Sequence, residues 1–227
     1  MAERNTFAWR VEHWGYLRTA HWLLMRVLAK LTGLRLHYVF VILNPDDREP
    51  TPVPEGYSAR ILSIDELKPH AAHNEELDDE FMALVEARGD VCFANFYHDE
   101  LVGFSFETLE RARVTEQLDV LIPPGFSYGY KGWTHPDHRL KGLNLIRGDV
   151  SRARKVRPPS IFYIETSNYA SLLHRYRMPK YRRLHVGYCG WFRCFGRDVP
   201  FTSRKAKWAG LRMVRKGATP KLRYTEV

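Results

Sequence analysis

The stretch THPDHRLKGLNLIRG, residues 134–148, decides how the rest of the chain is read. A strand-like run, FSYGYKGWTH (126–135), leads into it, and a helix starts near Gly142. Pro136 suits a turn out of the strand. The first amides of a helix have no acceptor inside it, and the helix dipole makes that end positive. Phosphates bind at such places. Gly142 lets a ligand approach the backbone closely, and Arg139 and Lys141 add positive charge. Taken as physics, the stretch describes a pyrophosphate cradle, although it contains neither GxxxxGK[ST] nor GxGxxG. An ordinary basic turn is the plainer alternative.

The 227 residues suit one domain with extensions, or two small ones. Hydrophobic residues make up 44%, enough for a packed core and too many for wholesale disorder. The net charge of +9 favours anionic partners such as phosphate-bearing ligands, nucleic acid or acidic lipid. Cys92, Cys189 and Cys194 form no CxxC pair and no disulfide framework, so a reducing cytoplasm and a packing role for all three are expected. In a strand, Cys189 and Cys194 face opposite sides, being five residues apart. No signal peptide is expected at the N-terminus, and no stretch reaches the uncharged apolar length of a membrane span. No His/Cys/Asp set has metal spacing, so no metal is expected.

Working outward, residues 7–32 read as one long amphipathic helix, with Trp14, Leu17, Leu24, Leu28 and Leu31 at helical spacings and Gly33 as its stop. It either packs on its own domain or lies on an anionic membrane, for which Trp with Lys and Arg is the expected composition. A strand at 34–43 and a Pro- and Asp-rich linker follow, giving an N-terminal segment 1–54. The strand 57–63 comes next. Two helical pieces then break near Pro69 and end at Gly89, with Ser63 and Glu66 placed for a capping box. VCFANFYH and LVGFSFETLE read as a hairpin, and a looser segment runs to Pro123-Pro124-Gly125. SIFYIETS (160–167) is a buried type of strand, a helix runs from Asn168 to about Arg177, and RLHVGYCGWFRCF holds the last strands. Residues 202–227 carry eight Lys/Arg against one acid and read as a solvated basic tail, whose aromatics leave room for an anionic-surface role. The element order predicts an α/β (α+β) fold: a mixed sheet with helices on both faces in a domain spanning 55–200, plus the N-terminal helix and a tail from 201.

Residues 134–148 also resemble motif A of the GCN5-related N-acetyltransferase (GNAT) superfamily, V-x-P-x-x-R-x-x-G-x-G/A. Thr134 stands at the valine position, followed by Pro136, Arg139, Lys141, Gly142 and Leu143. Leu140 stands where glycine is frequent, and Asn144 where the family has Gly or Ala. Roughly 25 residues on, ETSNYASLLHRYRMPKYRR is similar to motif B: Asn168 and Ser171 match, while Pro179-Lys180-Tyr181 replaces the closing Gly-Phe. The resemblance covers 55–196.

It implies a mostly antiparallel sheet whose two central parallel strands splay around an acyl-CoA thioester. It further implies that amides of Arg139, Leu140, Lys141, Gly142, Leu143 and Asn144 hold the pyrophosphate. Backbone at Trp133, Thr134 and His135 would bind the pantetheine arm, and Asn168 and Ser171 would belong to the same cofactor-binding set. The family's thiolate acid, a Tyr seven residues after the motif-B Asn, falls on Arg175, with Tyr176 beside it; one residue turns a helical side chain by about 100°. For the general base, Glu165 ends the strand forming one wall of the splay, and Glu107 is the runner-up. His135 and His138 belong near the cofactor.

The expected activity is direct transfer of an acyl group, acetyl first, from acetyl-CoA or another acyl-CoA to a primary amine. Alternatives are a long-chain N-acyltransferase drawing on acyl-CoA or an acyl carrier protein, whose acidity would suit the charge, and a non-catalytic acyl-CoA-binding or nucleic-acid-associated module. The acceptor could be an amino-lipid or envelope precursor at the inner face of a membrane, with the protein held peripherally. Nucleic acid is disfavoured because no binding motif or stacking pattern appears.

Overall fold

A computed structural model describes residues 6–42, 49–71, 74–154, 158–169, 171–172 and 183–218. It is a mixed α/β structure, and its chain divides into two compact units. One comprises residues 42–112 and 124–161, the other 1–41, 113–123 and 162–227. The linear divisions expected at 54/55 and 200/201 therefore fall inside units, because each unit draws elements from distant parts of the chain.

The unit holding residues 134–148 is built on an antiparallel sheet in the order β2-β3-β4-β7. These strands are β2 (Tyr57–Leu62), β3 (Val91–Tyr97), β4 (Glu100–Thr108) and β7 (Tyr128–Thr134). His98 and Asp99 join β3 to β4 with positive φ of 44° and 70°, the conformation a tight primed hairpin turn needs. Alternation along the strands sends Cys92, Ala94, Phe96, Phe104 and Phe106 to one face. There they meet Leu67 of α3 (Ile64–Ala71), Leu77, and Met82 and Val85 of α4 (Asp79–Arg88). Phe104 and Phe106 are fully buried; truncating either to Ala would cost about 3–5 kcal/mol. The opposite face receives α5 (Leu143–Arg152), whose Leu143 and Ile146 pack on Val102. Helices thus cover both faces of this sheet.

Caps follow the sequence closely. Ser63 and Glu66 form the reciprocal capping box, and Gly89 closes α4 in the left-handed conformation. Pro69, expected to break the helix, lies inside α3. The end of α4 is pinned to β7 by a partly buried group: Arg88 Nη2 donates to Asp90 Oδ2 at 2.6 Å and to the Tyr130 oxygen at 2.7 Å, and the Tyr130 hydroxyl donates to Asp90 at 2.5 Å. Burial and the adjacent carboxylate raise the Tyr130 phenol well above its ordinary pKa.

The other unit contains a sheet in the order β10-β9-β1-β8. Its strands are β1 (Arg35–Ile42), β8 (Ser160–Glu165), β9 (Arg183–Cys194) and β10 (Arg197–Thr202). The division between the units falls inside β8: Ser160 and Ile161 belong to the first unit, where Ser160 forms a parallel bridge with Ser127.

The structure corrects further sequence expectations. The N-terminal helix is two: α1 (Phe7–Trp14) and α2 (Tyr16–Thr32), broken at Gly15, whose φ of 82° and ψ of 164° leave the helix. Its packed face carries Thr19 and Met25, whereas Leu17, Leu24 and Leu31 are exposed; periodicity reveals a stripe but not which side meets the protein. The looser segment after Thr108 contains β5 (Arg111–Arg113) and β6 (Leu118–Leu121). The basic tail is folded as far as residue 218: α6 (Arg204–Trp208) precedes β11 (Arg212–Arg215), which pairs antiparallel with β6. Leu211 and Met213 are buried there while Arg215 stays exposed, so a cationic segment still supplies an apolar face. Cys92 and Cys189 are buried, but Cys194 is exposed on the opposite face of β9. No helix among the described residues is long and apolar enough to cross a membrane.

Candidate functional site

The site grows from the end of β7. That strand pairs only with β4 along its length, so beyond Ser127 its other edge faces no strand among the described residues. A sheet edge without a strand partner is where an extended ligand can pair with the backbone. A bulge adds irregularity. Phe104 opposes Trp133 while Phe106 opposes Tyr130, leaving Lys131 (φ 47°) and Gly132 against Ser105. The strand ends where Thr134 opposes Gly103, and His135 N–H donates to Val102 O at 2.9 Å.

A single turn of tight helix, Pro136–His138, follows. Leu140 then takes φ 69° and Gly142 φ 76°, both left-handed, before α5 begins. Gly142 is the N-cap residue, and no side chain caps the helix. A Cβ at Gly142 would meet nothing within 4 Å, so the backbone angle and not crowding demands glycine. The first helical bonds run from Leu145 and Ile146 N–H to Gly142 O, so the amides of Leu143 and Asn144 have no acceptor within the helix. The first turn of α5 contains no acidic residue. Leu140, at a position where GNAT motif A often has glycine, adopts the backbone angle that glycine would relieve.

The cations are held in place. Arg139 Nε donates to Thr134 O at 3.1 Å, folding the loop back on the strand end. Lys141 Nζ lies over the rings of Tyr57 (5.2 Å) and Tyr97 (6.0 Å), and its pKa is raised, first by hydrogen bonding to Tyr57. His138 Nδ1 sits 2.8 Å from the Tyr57 hydroxyl, and His135 Nδ1 accepts from Asp137 N–H. Behind the strand, buried Arg147 of α5 donates to Asn95 Oδ1 at 2.6 Å and reaches Thr134 Oγ1 at 3.5 Å. Desolvation lowers its pKa to about 10, so it remains a cation at neutral pH. A strand edge without a strand partner among the described residues, two left-handed residues, an uncapped helix start and a positive surround suit an anionic head joined to an extended arm.

Trp133, Thr134, His135, Arg139, Leu140, Lys141, Gly142, Leu143 and Asn144 therefore lie together in one unit. Asn168 and Ser171 lie in the other, where Asn168 Oδ1 accepts from Ser171 N–H at 3.1 Å in a helix-start arrangement. Glu165 ends β8, half-buried, with Arg35 Nη1 at 3.3 Å from Oε1. Glu107 is buried; Arg154 Nη2 donates to its Oε1, and Ser151 Oγ lies 3.5 Å from its Oε2. Tyr176 lies outside the described residues, as does the replaced Gly-Phe position.

Sequence reasoning passed over three residues. Arg147 and Asn95 are polar residues at core positions, detectable only as exceptions in apolar periodicities. His37, on β1, is 7% exposed, stacked on Trp191 (5.2 Å) and edge-on to Tyr163 (4.7 Å). Burial lowers its pKa to about 4, so it is neutral at physiological pH.

No protein-family model and no curated protein matches the sequence. Among solved structures, the chain is similar to a Drosophila protein at 12% identity and TM-score 0.48, over 81% of this chain and 58% of that one. It is also similar to a tandem GNAT protein from the clavulanic acid biosynthesis pathway (11% identity, TM-score 0.47, 86% and 59% of the two chains). A third is a Novosphingobium aromaticivorans protein assigned to the GNAT acetyltransferases (14% identity, TM-score 0.42, 67% and 61%). The chain thus spans about three fifths of the length of each, and likenesses at these identities and scores say nothing about activity.

Proposed function

We propose that this protein is an acyl-CoA-dependent N-acyltransferase that transfers acetyl from acetyl-CoA to a primary amine. One observation carries the reading: the edge of β7, which pairs with no strand among the described residues, runs directly into left-handed Leu140 and Gly142 and the uncapped start of α5. Amides of Leu143 and Asn144 would hold the pyrophosphate, with Arg139 and Lys141 supplying charge, and the β7 edge from Trp133 to His135 would align the pantetheine arm. In the reaction the amine nitrogen attacks the thioester carbonyl, the C–N bond forms, the C–S bond breaks, and the proton lost by the amine ends on the sulfur. Of the two carboxylates proposed as base, Glu165 is the more accessible, since Glu107 is buried against Arg154 and Ser151.

A second reading, an acyl-CoA binder without turnover, has one observation in its favour: both Glu107 and Glu165 are engaged by arginine. Thermal shift with CoA, acetyl-CoA and longer acyl-CoAs, followed by thiol release on a panel of primary amines, tests both. Stabilisation by CoA that Arg139→Ala with Lys141→Ala weakens, together with amine-dependent thiol release, is the expected result. Stabilisation without release on any amine selects the second reading. No shift with any CoA overturns both.

A further inference from the structure

The face of α2 that points away from the protein is apolar along its whole length. Tyr16, Leu17, Ala20, Leu23, Leu24, Val27 and Leu31 are all exposed, Leu17 at 88% and Leu31 at 76%. At 100° per residue they fill one uninterrupted arc of the helix, and at 1.5 Å per residue the stripe is roughly 22 Å long. Scattered surface leucines need no explanation, but a contiguous stripe of this length marks an interaction surface.

The charges beside the stripe identify its partner. α2 contains Arg18, His21, Arg26 and Lys30 and no acidic residue. Arg26 and Lys30 lie along one border of the arc. With Trp22, Leu23, Val27 and Arg35 they line a recess of about 510 Å³. The guanidinium of Arg26 stands 5.0 Å from the Trp22 ring, and that of Arg10 stands 4.0 Å from it, so cations are concentrated at this border. Arg35 also has Glu165 at 3.3 Å, which brings one acidic group to the edge of the recess.

A second copy of this chain fits poorly: a self-paired α2 would bring basic borders together with no acid on either helix to neutralise them. A membrane-spanning role is excluded for α2 by its charges and its 17 residues. What suits an apolar stripe edged by Arg, Lys and Trp is a surface that is apolar inside and anionic at its rim. We infer that α2 docks flat on an anionic phospholipid bilayer, with its leucine stripe among the acyl chains and Arg26 and Lys30 at the phosphates. Trp22, with its amphipathic ring beside the recess, sits at the level where such rings are favoured. This inference is independent of the acyltransferase reading, since it concerns binding to a lipid surface and no reaction.

The full chain, sedimented with phosphatidylcholine vesicles with and without phosphatidylglycerol, tests it. Binding to the anionic vesicles that high salt weakens is expected. Leu17→Glu with Leu24→Glu should lower the partition about a hundredfold, since both side chains lose their place in the acyl layer. Arg26→Glu with Lys30→Glu should lower it on anionic vesicles by at least about tenfold. All four side chains are exposed, so circular dichroism should stay unchanged. Failure of the wild-type chain to sediment with anionic vesicles overturns the inference, as does unchanged binding of the double leucine variant. A concentration-dependent dimer abolished by those leucine substitutions, without vesicle binding, would assign the stripe to a second copy instead and equally overturn it.

Discussion

The guanidinium of Arg147 lies 2.6 Å from Oδ1 of Asn95, and both side chains are buried in the sheet–helix interface. A buried cation here rests on a neutral amide, and two groups of the pair, Arg147 Nε and Asn95 Nδ2, find no hydrogen-bond partner among the described residues. The pair sits directly behind the end of β7 through Thr134, so it stiffens the strand proposed to hold the acyl donor.

The arrangement predicts an asymmetry. Asn95→Ala removes the acceptor of a charged hydrogen bond and should cost about 2–3 kcal/mol in urea denaturation. Arg147→Met combined with Asn95→Val replaces the whole polar pair by packed apolar groups and should cost much less than Asn95→Ala alone. Gly103 extends the cycle: a Cβ there would lie 2.5 Å from Arg147 Nη1 and 3.2 Å from Trp133 O. Gly103→Ala should therefore destabilise the wild-type chain more than the Arg147→Met chain. Equal costs in both backgrounds would show that the guanidinium does not set the spacing.

The loop before α5 should respond to backbone angle alone. Leu140 is 83% exposed at φ 69°, so its side chain contributes little packing while its backbone is disfavoured. Leu140→Asn, a residue that tolerates the left-handed region, should stabilise by up to about 1 kcal/mol in a thermal melt. Gly142→Ala should destabilise by about 1 kcal/mol although its Cβ meets open space.

His37 predicts a pH dependence. Its folded pKa is lowered from 6.5 to about 4 by burial, so the unfolded chain binds the proton more readily between those values. The contribution is fully present above pH 6.5 and is lost as pH falls through about 4, to a total of about 3 kcal/mol. His37→Phe keeps the ring packing on Trp191 and Tyr163 and removes the titration. Denaturation measured across this window should show a steeper loss of stability in wild type than in the variant; parallel curves would contradict the assignment.

Thiol reactivity should divide the three cysteines. Burial raises Cys92 and Cys189 to about 12, whereas Cys194 is exposed. A thiol reagent applied to the native chain should titrate Cys194 alone, and Cys194→Ser should abolish the fast phase. Unfolding in denaturant should expose the other two.

The parts of the fold legible in the sequence are those written in neighbouring residues. The capping box at Ser63 and Glu66, the stop at Gly89, the hairpin at His98-Asp99 and the strand–turn–helix junction at 134–148 each depend on a few consecutive torsions. So does the turn before α5, because an uncapped helix start behind a glycine is a local property. What escaped was every feature that depends on a distant partner. The helical spacing of residues 7–32 was visible, yet not the break at Gly15 or the side of α2 that meets the protein. Arg212 to Arg215 reads as solvated tail in sequence because nothing nearby announces that β6 will pair with it.

From the sequence alone come the alternation of strands and helices, the shape of the turn at 134–148 and the cationic character of the surface. The tertiary structure alone decided that Arg147 and His37 would be buried, that Glu107 would pair with Arg154, and that Leu17, Leu24 and Leu31 would face outward. The reason is physical: backbone conformation is chosen among a few local minima by adjacent side chains, whereas burial and charge pairing are set by which surfaces meet after the chain has closed on itself.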